Sequence, residues 1–289
     1  MAETPPKSRL WTLAGMLYRG ARHALRAGWR HPLPGLLWAS ALVSAFFLLF
    51  PGVDLWVSGL YHHADLGGFP AEQDAFLRRL RGLGPLLVWV IALGSGLVIF
   101  LKLVLPERPP LVPLRGPLFL LITLALGPGL MANGILKATS GRPRPRNVEL
   151  FGGDLPYVPV WRFTDYCQSN CSFVSGEGSS GAWLVAFALA LPLTWRRPAA
   201  FVAVAIGAMV SLNRVAFGGH FLSDTLLAWC LNGLLIALFY RLFYQRTPAW
   251  LTDTALESGF TRLGYWLKDS LDDFLFRLRQ EWRAWRNHT

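Results

Sequence analysis

Residues 214–243 read RVAFGGHFLSDTLLAWCLNGLLIALFYRLF. From residue 221 onward the stretch is apolar, with Asp224 near its start and Arg241 near its end as its charged residues. A membrane-spanning helix needs about 20 mostly apolar residues, so this stretch predicts one span with Arg214, His220 and Asp224 gathered at its mouth. Working outward, further runs of that kind lie at roughly 33–53, 84–104, 112–136, 176–194 and 199–213, the last being the shortest. The 289 residues are 53% hydrophobic and only 16% charged, with a mean hydropathy of +0.36. That is too apolar for a soluble domain of this length. The expected fold is therefore all-α: a polytopic membrane protein of six transmembrane helices.

No internal repeat or low-complexity linker interrupts the chain. It divides into a basic cytoplasmic or interfacial segment (1–32), a six-helix membrane domain (33–246) and an amphipathic tail (247–289). In the tail Leu256, Phe260, Leu263, Leu267, Leu271, Phe274, Leu278 and Trp285 recur at helical spacing among Lys268, Arg277, Arg279 and Arg283, as in a helix lying in the membrane interface. Leu10, Leu13, Leu17 and Ala21 repeat the pattern more weakly near the N-terminus. The first apolar run follows a long basic stretch without a small-residue cleavage site, so it is expected to stay as an anchor.

The formal charge of +11, from 28 Lys and Arg against 17 Asp and Glu, suits nucleic acid or an anionic membrane surface; the apolar background decides for lipid and against nucleic acid. The positive-inside rule sets the orientation. Lys7, Arg9, Arg19, Arg22, Arg26 and Arg30, then Lys102, Arg108 and Arg115, then Arg196 and Arg197, then Arg241 and Arg246 fall on one side by parity. Both termini are thereby cytoplasmic, with loops 54–83, 137–175 and 214–220 outside. Arg78, Arg79 and Arg81 in the first outer loop run against the rule. Cys167 and Cys171, four apart in an outer loop, either form a local disulfide or stay free, whereas Cys230 in an apolar run reads as packing. His62, His63, Asp54, Asp65, Glu72 and Asp74 read as solvated loop residues.

The outer loop 137–175 also breaks the charge rule, carrying Lys137, Arg142, Arg144, Arg146 and Arg162. A bound phosphate explains cations there, since Arg offers bidentate donors and Lys a point charge; a solvated loop touching headgroups is the plainer alternative. His220 and Asp224 are one helical turn apart, a spacing at which a carboxylate can take the proton of one ring nitrogen and leave the other free to attack. Ser175-Gly176 directly precedes the fourth apolar run, where a helix N-terminus presents free amides to an anion.

Lys137 with Arg144-Pro145 as K-x(6)-R-P, Ser175-Gly176 within SFVSGEGSS, and Arg214, His220 and Asp224 as R-x(5)-H-x(3)-D match, in order, the three signatures of the type 2 phosphatidic acid phosphatase superfamily. The chain resembles that family of integral-membrane lipid phosphatases. The resemblance implies that Lys137, Arg144 and Arg214 hold phosphate oxygens, Ser175 and the Gly176 amide add donors, His220 attacks phosphorus and Asp224 orients it. No metal or cofactor is implied. Glu177 stands where the family usually has the histidine that protonates the leaving group, Val174 where a proline is usual and Asn213 where a serine is usual. Glu177 is either a substitute acid, a residue suited to diphosphate substrates, or a sign of an inactive protein.

The expected function is that of a metal-independent lipid phosphatase. It would act through a phosphohistidine on a phosphate monoester or diphosphate (an isoprenyl diphosphate, a phosphatidic acid type or a lipid A type lipid), on the periplasmic side of a bacterial inner membrane. The alternatives are a phosphotransferase using the same histidine, and an inactive lipid-binding membrane protein.

Overall fold

The computed structural model describes residues 32–288; the expected N-terminal amphipathic segment lies outside them. Helix α1 (Pro32–Leu49) is followed after Pro51 by the short α2 (Gly52–Gly59). Two single turns lead to α3 (Ala75–Val104). Helix α4 begins as Arg115–Leu124, continues in wide turns through Ala125–Leu136 and closes with Lys137–Thr139. After a long loop come α5 (Gly176–Ala190), α6 (Leu193–Ala216), α7 (Leu222–Tyr240, extended by Arg241–Gln245) and α8 (Asp253–His288). No strand is present among the described residues. Five helices, α1, α3, α4, α6 and α7, are long and apolar enough to cross a membrane, and the chain is a multi-pass membrane protein.

Several boundaries differ from the hydropathy reading. α3 starts nine residues before 84 because Asp74 caps it, its carboxylate accepting from the Leu77 amide at 2.8 Å. The arginines expected in a loop, Arg78, Arg79 and Arg81, are thus carried on its first turns. The run at 199–213 belongs to a helix of 24 residues, long because Arg196 folds back, its guanidinium bonding Leu191 O and Tyr240 Oη, each at 2.7 Å, instead of ending the helix. The run at 176–194 gives the short one: α5 stops at Ala190 because Leu191 is extended ahead of Pro192.

α5 has 15 residues, about 22 Å of helix, against a hydrocarbon thickness of about 30 Å. It is also the most enclosed element, with Trp183 fully buried and donating from Nε1 to Thr123 Oγ1 at 3.0 Å and Leu120 O at 3.2 Å. A short helix inside a ring of longer ones starts below the end of the bundle, so Ser175 and Gly176 are buried. α5 and α6 approach backbone to backbone at Gly181 and Gly207: a Cβ on Gly207 would stand 2.6 Å from the Gly181 carbonyl oxygen. In lipid, where apolar burial gives helices little reason to associate, such close packing is a main source of cohesion.

The wide turns of α4 have a local cause. Pro128 has no amide to donate and crowds the carbonyl one turn back, so the helix relaxes to i→i+5 geometry. The Asn133 side chain then donates from Nδ2 to Pro128 O at 2.6 Å. Lys137 follows directly and is delivered beside α5: a Cβ on Gly176 would lie 3.3 Å from its Nζ.

The Gly181–Gly207 contact generates a prediction. Gly207→Val should destabilise the detergent-solubilised protein by about 1–3 kcal/mol through overpacking, seen as a lower thermal unfolding midpoint; an unchanged midpoint would contradict the contact.

Candidate active site

The first terminus that builds the site is that of α6. Arg214 sits in its last turn, buried to 1% exposure. The chain leaves through Gly218, in the left-handed region (φ 59°) that favours glycine, and Gly219, where a Cβ would press on the Arg214 guanidinium. His220 follows, fully buried. Phe221 is the residue before α7, and Asp224, in the first turn, reaches back to the Phe221 amide at 2.9 Å.

The expected pairing of His220 with Asp224 is not what the chain forms. α7 starts at Leu222, so His220 precedes the helix and the two residues do not share a helix face. His220 Nδ1 instead lies 2.7 Å from the Ser172 carbonyl oxygen. A carbonyl can only accept, so Nδ1 carries the proton and Nε2 keeps its lone pair. Asp224 acts one step away: Ser172 Oγ donates to its Oδ2 at 2.5 Å, and Arg142 Nη1 donates to its Oδ1 at 2.5 Å. Burial pushes the His220 imidazole below its ordinary range, against the contrary pull of Glu177 and Asp224. The ring is therefore held neutral.

Arg142, counted with the loop cations that suggested phosphate, is fully buried and serves carboxylates instead. Its Nη2 donates to Asp54 Oδ2 at 2.8 Å, its Nε to the Val158 carbonyl at 2.7 Å, and its Nη1 also to Ser223 Oγ at 2.9 Å. The guanidinium stacks 4.5 Å from the Phe221 ring centroid. Burial alone would lower its pKa, but Asp224 and Asp54 hold it above the usual range. Asp54, expected to be a solvated loop residue, is wholly buried on α2 and also accepts from Ser223 N and Oγ at 2.9 and 2.5 Å. Local sequence does not reveal this, because its partners lie far along the chain. Two more outer-loop residues are likewise engaged: Glu72 pairs with Arg146, and His62 packs 5.3 Å from Phe69 and 5.2 Å from Phe151, ring centroid to centroid.

Opposite His220 stands Glu177, in the first turn of α5. Its Oε1 lies 3.1 Å from both Arg81 Nη2 and Arg214 Nε, and its Oε2 is 3.6 Å from His220 Nε2. Arg81 was not among the site residues expected from sequence; the early start of α3 brings it in. Lys137, Arg144 and Arg214 lie within electrostatic reach of one another and of Glu177. Arg144 is held by two bonds to the Asn170 carbonyl, from Nε at 3.0 Å and Nη2 at 2.8 Å. Ser175 caps α5, its Oγ accepting from the Gly178 amide at 3.0 Å while its amide donates to Asp224 O at 3.2 Å. The structure thus gathers Lys137, Arg144, Ser175, Gly176, Glu177, Arg214 and His220 around one space, and sets Asp224 behind it.

Within that space Arg214 Nε and Nη1 and His220 Nε2 are buried without a hydrogen-bond partner; the Arg214 Nε to Glu177 approach is off the line of a hydrogen bond. The Arg214 donors left in this way are costly, by about 1–3 kcal/mol each, so the arrangement calls for an anion richer in oxygens than one carboxylate. A cavity of about 540 Å³ opens from Lys137 and Glu177 between α3, α4, α5 and α6, walled by Val88, Trp89 and Leu124. It is mostly apolar. No group of three or more His, Cys, Asp or Glu among the described residues is placed to hold a metal ion.

The chain belongs to the PAP2 superfamily, whose profile matches residues 116–248; it is a membrane-embedded hydrolase of phosphoric esters. It is similar to the lipid A 4'-phosphatase of Francisella tularensis subsp. novicida, 31% identical over 209 residues that cover 70% of this chain and 90% of that protein. The lipid A 4'-phosphatase of Rhizobium leguminosarum is 34% identical over 215 residues, 67% of this chain and 88% of the relative. That of Rhizobium etli is 33% identical, over 67% and 80% respectively. A crystal structure of a transmembrane PAP2 type phosphatidylglycerolphosphate phosphatase from Bacillus subtilis aligns with a TM-score of 0.49 at 19% identity, covering 75% of this chain and 98% of that one.

The buried charges behind His220 give the second prediction. Arg142→Met leaves Asp54 and Asp224 as facing carboxylates with no counter-ion, a loss of about 3–5 kcal/mol. The variant should unfold at markedly lower temperature in detergent; wild-type stability would show that the guanidinium does not hold the site together.

Proposed function

We propose that this protein removes a phosphate monoester from a lipid A type glycolipid in the inner membrane of a bacterium, through phosphorylation of His220. The observation that carries the reading is the pair of unpartnered buried donors, Arg214 Nε and Nη1, next to the free His220 Nε2 and facing a carboxylate among Lys137, Arg81 and Arg144. The 4'-phosphate lipid named for three relatives favours the substrate, and the apolar cavity suits the acyl chains of such a lipid.

Phosphate oxygens take the place of the Glu177 carboxylate on Arg214 and Arg81, with Lys137, Arg144 and the α5 amides completing the cage. His220 Nε2 attacks phosphorus while Ser172 O keeps the proton on Nδ1 and stabilises the ring as it becomes cationic. Before phosphate enters, burial is outweighed by His220, Arg214 and Arg81, which hold the Glu177 carboxyl well below the usual carboxylate range. An entering phosphate takes over those cations and brings negative charge, so the carboxylate takes up a proton from water to give the protonated carboxyl. That form donates its proton to the leaving sugar oxygen as the ester P–O bond breaks. The resulting carboxylate then takes a proton from the water that attacks the phosphohistidine, releasing inorganic phosphate and restoring His220.

The site is read as periplasmic. Lys102, Arg108, Arg115, Arg196, Arg197, Arg241 and Arg246 lie at the far ends of the helices, as the positive-inside rule asks of the cytoplasmic side. The Cys167–Cys171 disulfide on the site side suits an oxidising compartment. α8 is read as an interfacial anchor behind the membrane domain of residues 33–246: it passes the end of α3 at Leu103 and Pro106 and exposes Trp266, Leu271, Phe274 and Trp282 between basic residues.

Purified protein in detergent should release inorganic phosphate from a lipid A type 4'-monophosphate in preference to phosphatidic acid or an isoprenyl diphosphate, and His220→Ala should abolish release. A newly phosphorylated lipid in place of free phosphate would move the reading to phosphotransfer, and no product at all would refute both. Glu177→Gln should lower kcat on the sugar phosphate by about 10²–10⁴-fold, the usual span of a general acid, and lower KM as well, since the seat loses a resident charge. An aryl phosphate, whose leaving group needs no proton, should be spared. The acid limb of kcat/KM reports His220 losing its free lone pair as pH falls through its pKa, so it should lie below the ordinary imidazole value of about 6.5. In Glu177→Gln it should move lower still, because the carboxylate that favours the protonated ring is gone.

A further inference from the structure

Two residues at the anion seat, Arg144 from the long loop and His220 from the turn before α7, are both held by backbone carbonyls next to one cystine. Cys167 and Cys171 are bonded to each other. Asn170, immediately before Cys171, carries the carbonyl that accepts from Arg144 Nε and Nη2. Ser172, immediately after it, carries the carbonyl on His220 Nδ1 and the hydroxyl on Asp224. Asn170 takes the left-handed conformation (φ 52°), which Asn adopts more readily than most non-glycine residues.

Ser172 is buried and also held through its hydroxyl on Asp224, whereas between the two cysteines the anchoring is sparse. The Cys167 amide donates to Gly141 O at 3.1 Å and the Ser172 amide to Arg142 O at 2.8 Å, while Gln168, Ser169 and Asn170 between them are exposed. Cys171 is fully buried and Cys167 only half so, which leaves one sulfur open to attack from solution.

We infer that the Cys167–Cys171 disulfide is a positioning element of the active site: it locks the Asn170 and Ser172 carbonyls that aim Arg144 and His220, so that opening it slackens the phosphate seat. This rests on the reading of those two side chains as phosphate ligand and nucleophile. A dithiol reductant opens the bond by attack of its thiolate on the accessible Cys167 sulfur. Two electrons and two protons pass to the protein, Cys167 and Cys171 become thiols, and the reductant closes to its own cyclic disulfide. Freed of the five-residue ring, Asn170 can leave its left-handed conformation and release Arg144.

The test uses the full chain in detergent in a Cys230→Ala background, so that only this pair reacts, with opening verified by thiol alkylation and mass spectrometry. Dithiothreitol should raise KM and lower kcat, together reducing kcat/KM by about ten- to a hundredfold, as small misplacements of catalytic groups do. Reoxidation should restore both constants. Cys167→Ser with Cys171→Ser should start at the reduced level and ignore the reductant. Affinity for inorganic phosphate, read as protection against thermal unfolding, should fall in parallel. This readout stands even if no lipid tried is a substrate, so failure of the functional reading and failure of this one are told apart. Unchanged kcat, KM and phosphate affinity with the pair shown to be open would overturn the inference. So would loss of the helical signal on reduction, since the inferred change is confined to the loop.

Discussion

A guanidinium buried to 1% exposure between two buried carboxylates is the constraint on which the site depends. Arg142 joins the loop after α4 to Asp54 on α2 and Asp224 on α7. Each charge would be prohibitive to bury alone, and each is tolerable because the others are in place and the remaining lone pairs are filled by Ser172, Ser223 and backbone. Three segments distant in sequence are thereby fixed to one point. Ser172 passes that fixity to the His220 imidazole, with its hydroxyl on Asp224 and its carbonyl on His220.

The second constraint is the length of α5. Because it is shorter than the hydrocarbon it is set in, its N-terminus opens inside the bundle, and Glu177 comes to rest between Arg81, Arg214 and His220. An empty seat there would hold several unscreened cations at close range. The carboxylate relieves that repulsion without satisfying every donor. A histidine at the same position would add to the positive charge. The exchange of sign is thus consistent with a site whose extra cation, Arg81, comes from the first turns of α3.

Much of this was legible in the sequence. Hydropathy located the spanning runs, and the resemblance to the phosphatase superfamily implied one phosphate site shared by Lys137, Arg144, Arg214 and His220. Its errors have physical causes. Capping by Asp74 extends α3 past the apolar run into arginines that composition assigns to a loop. A proline ends α5 early, and a folded-back Arg196 lets α6 begin early. The spacing of His220 and Asp224 suggested a shared helix face, but the helix starts between them and their coupling runs through Ser172, a residue without local signal. Asp54 was invisible as a partner because its hydrogen bond to Ser223 spans 169 positions. Nor could the number of cations distinguish Arg142, which binds carboxylates, from its neighbour Arg144, which faces the seat. Spacing left the state of Cys167 and Cys171 open as well; the fold brings them together.

The most direct test of the account is to quench the enzyme during turnover of a radiolabelled lipid phosphate and map any protein-bound label. The account predicts an acid-labile, alkali-stable phosphoryl group on His220 and none on His220→Ala, which should also release no phosphate. Label on another residue, or phosphate release that continues in His220→Ala, would contradict it.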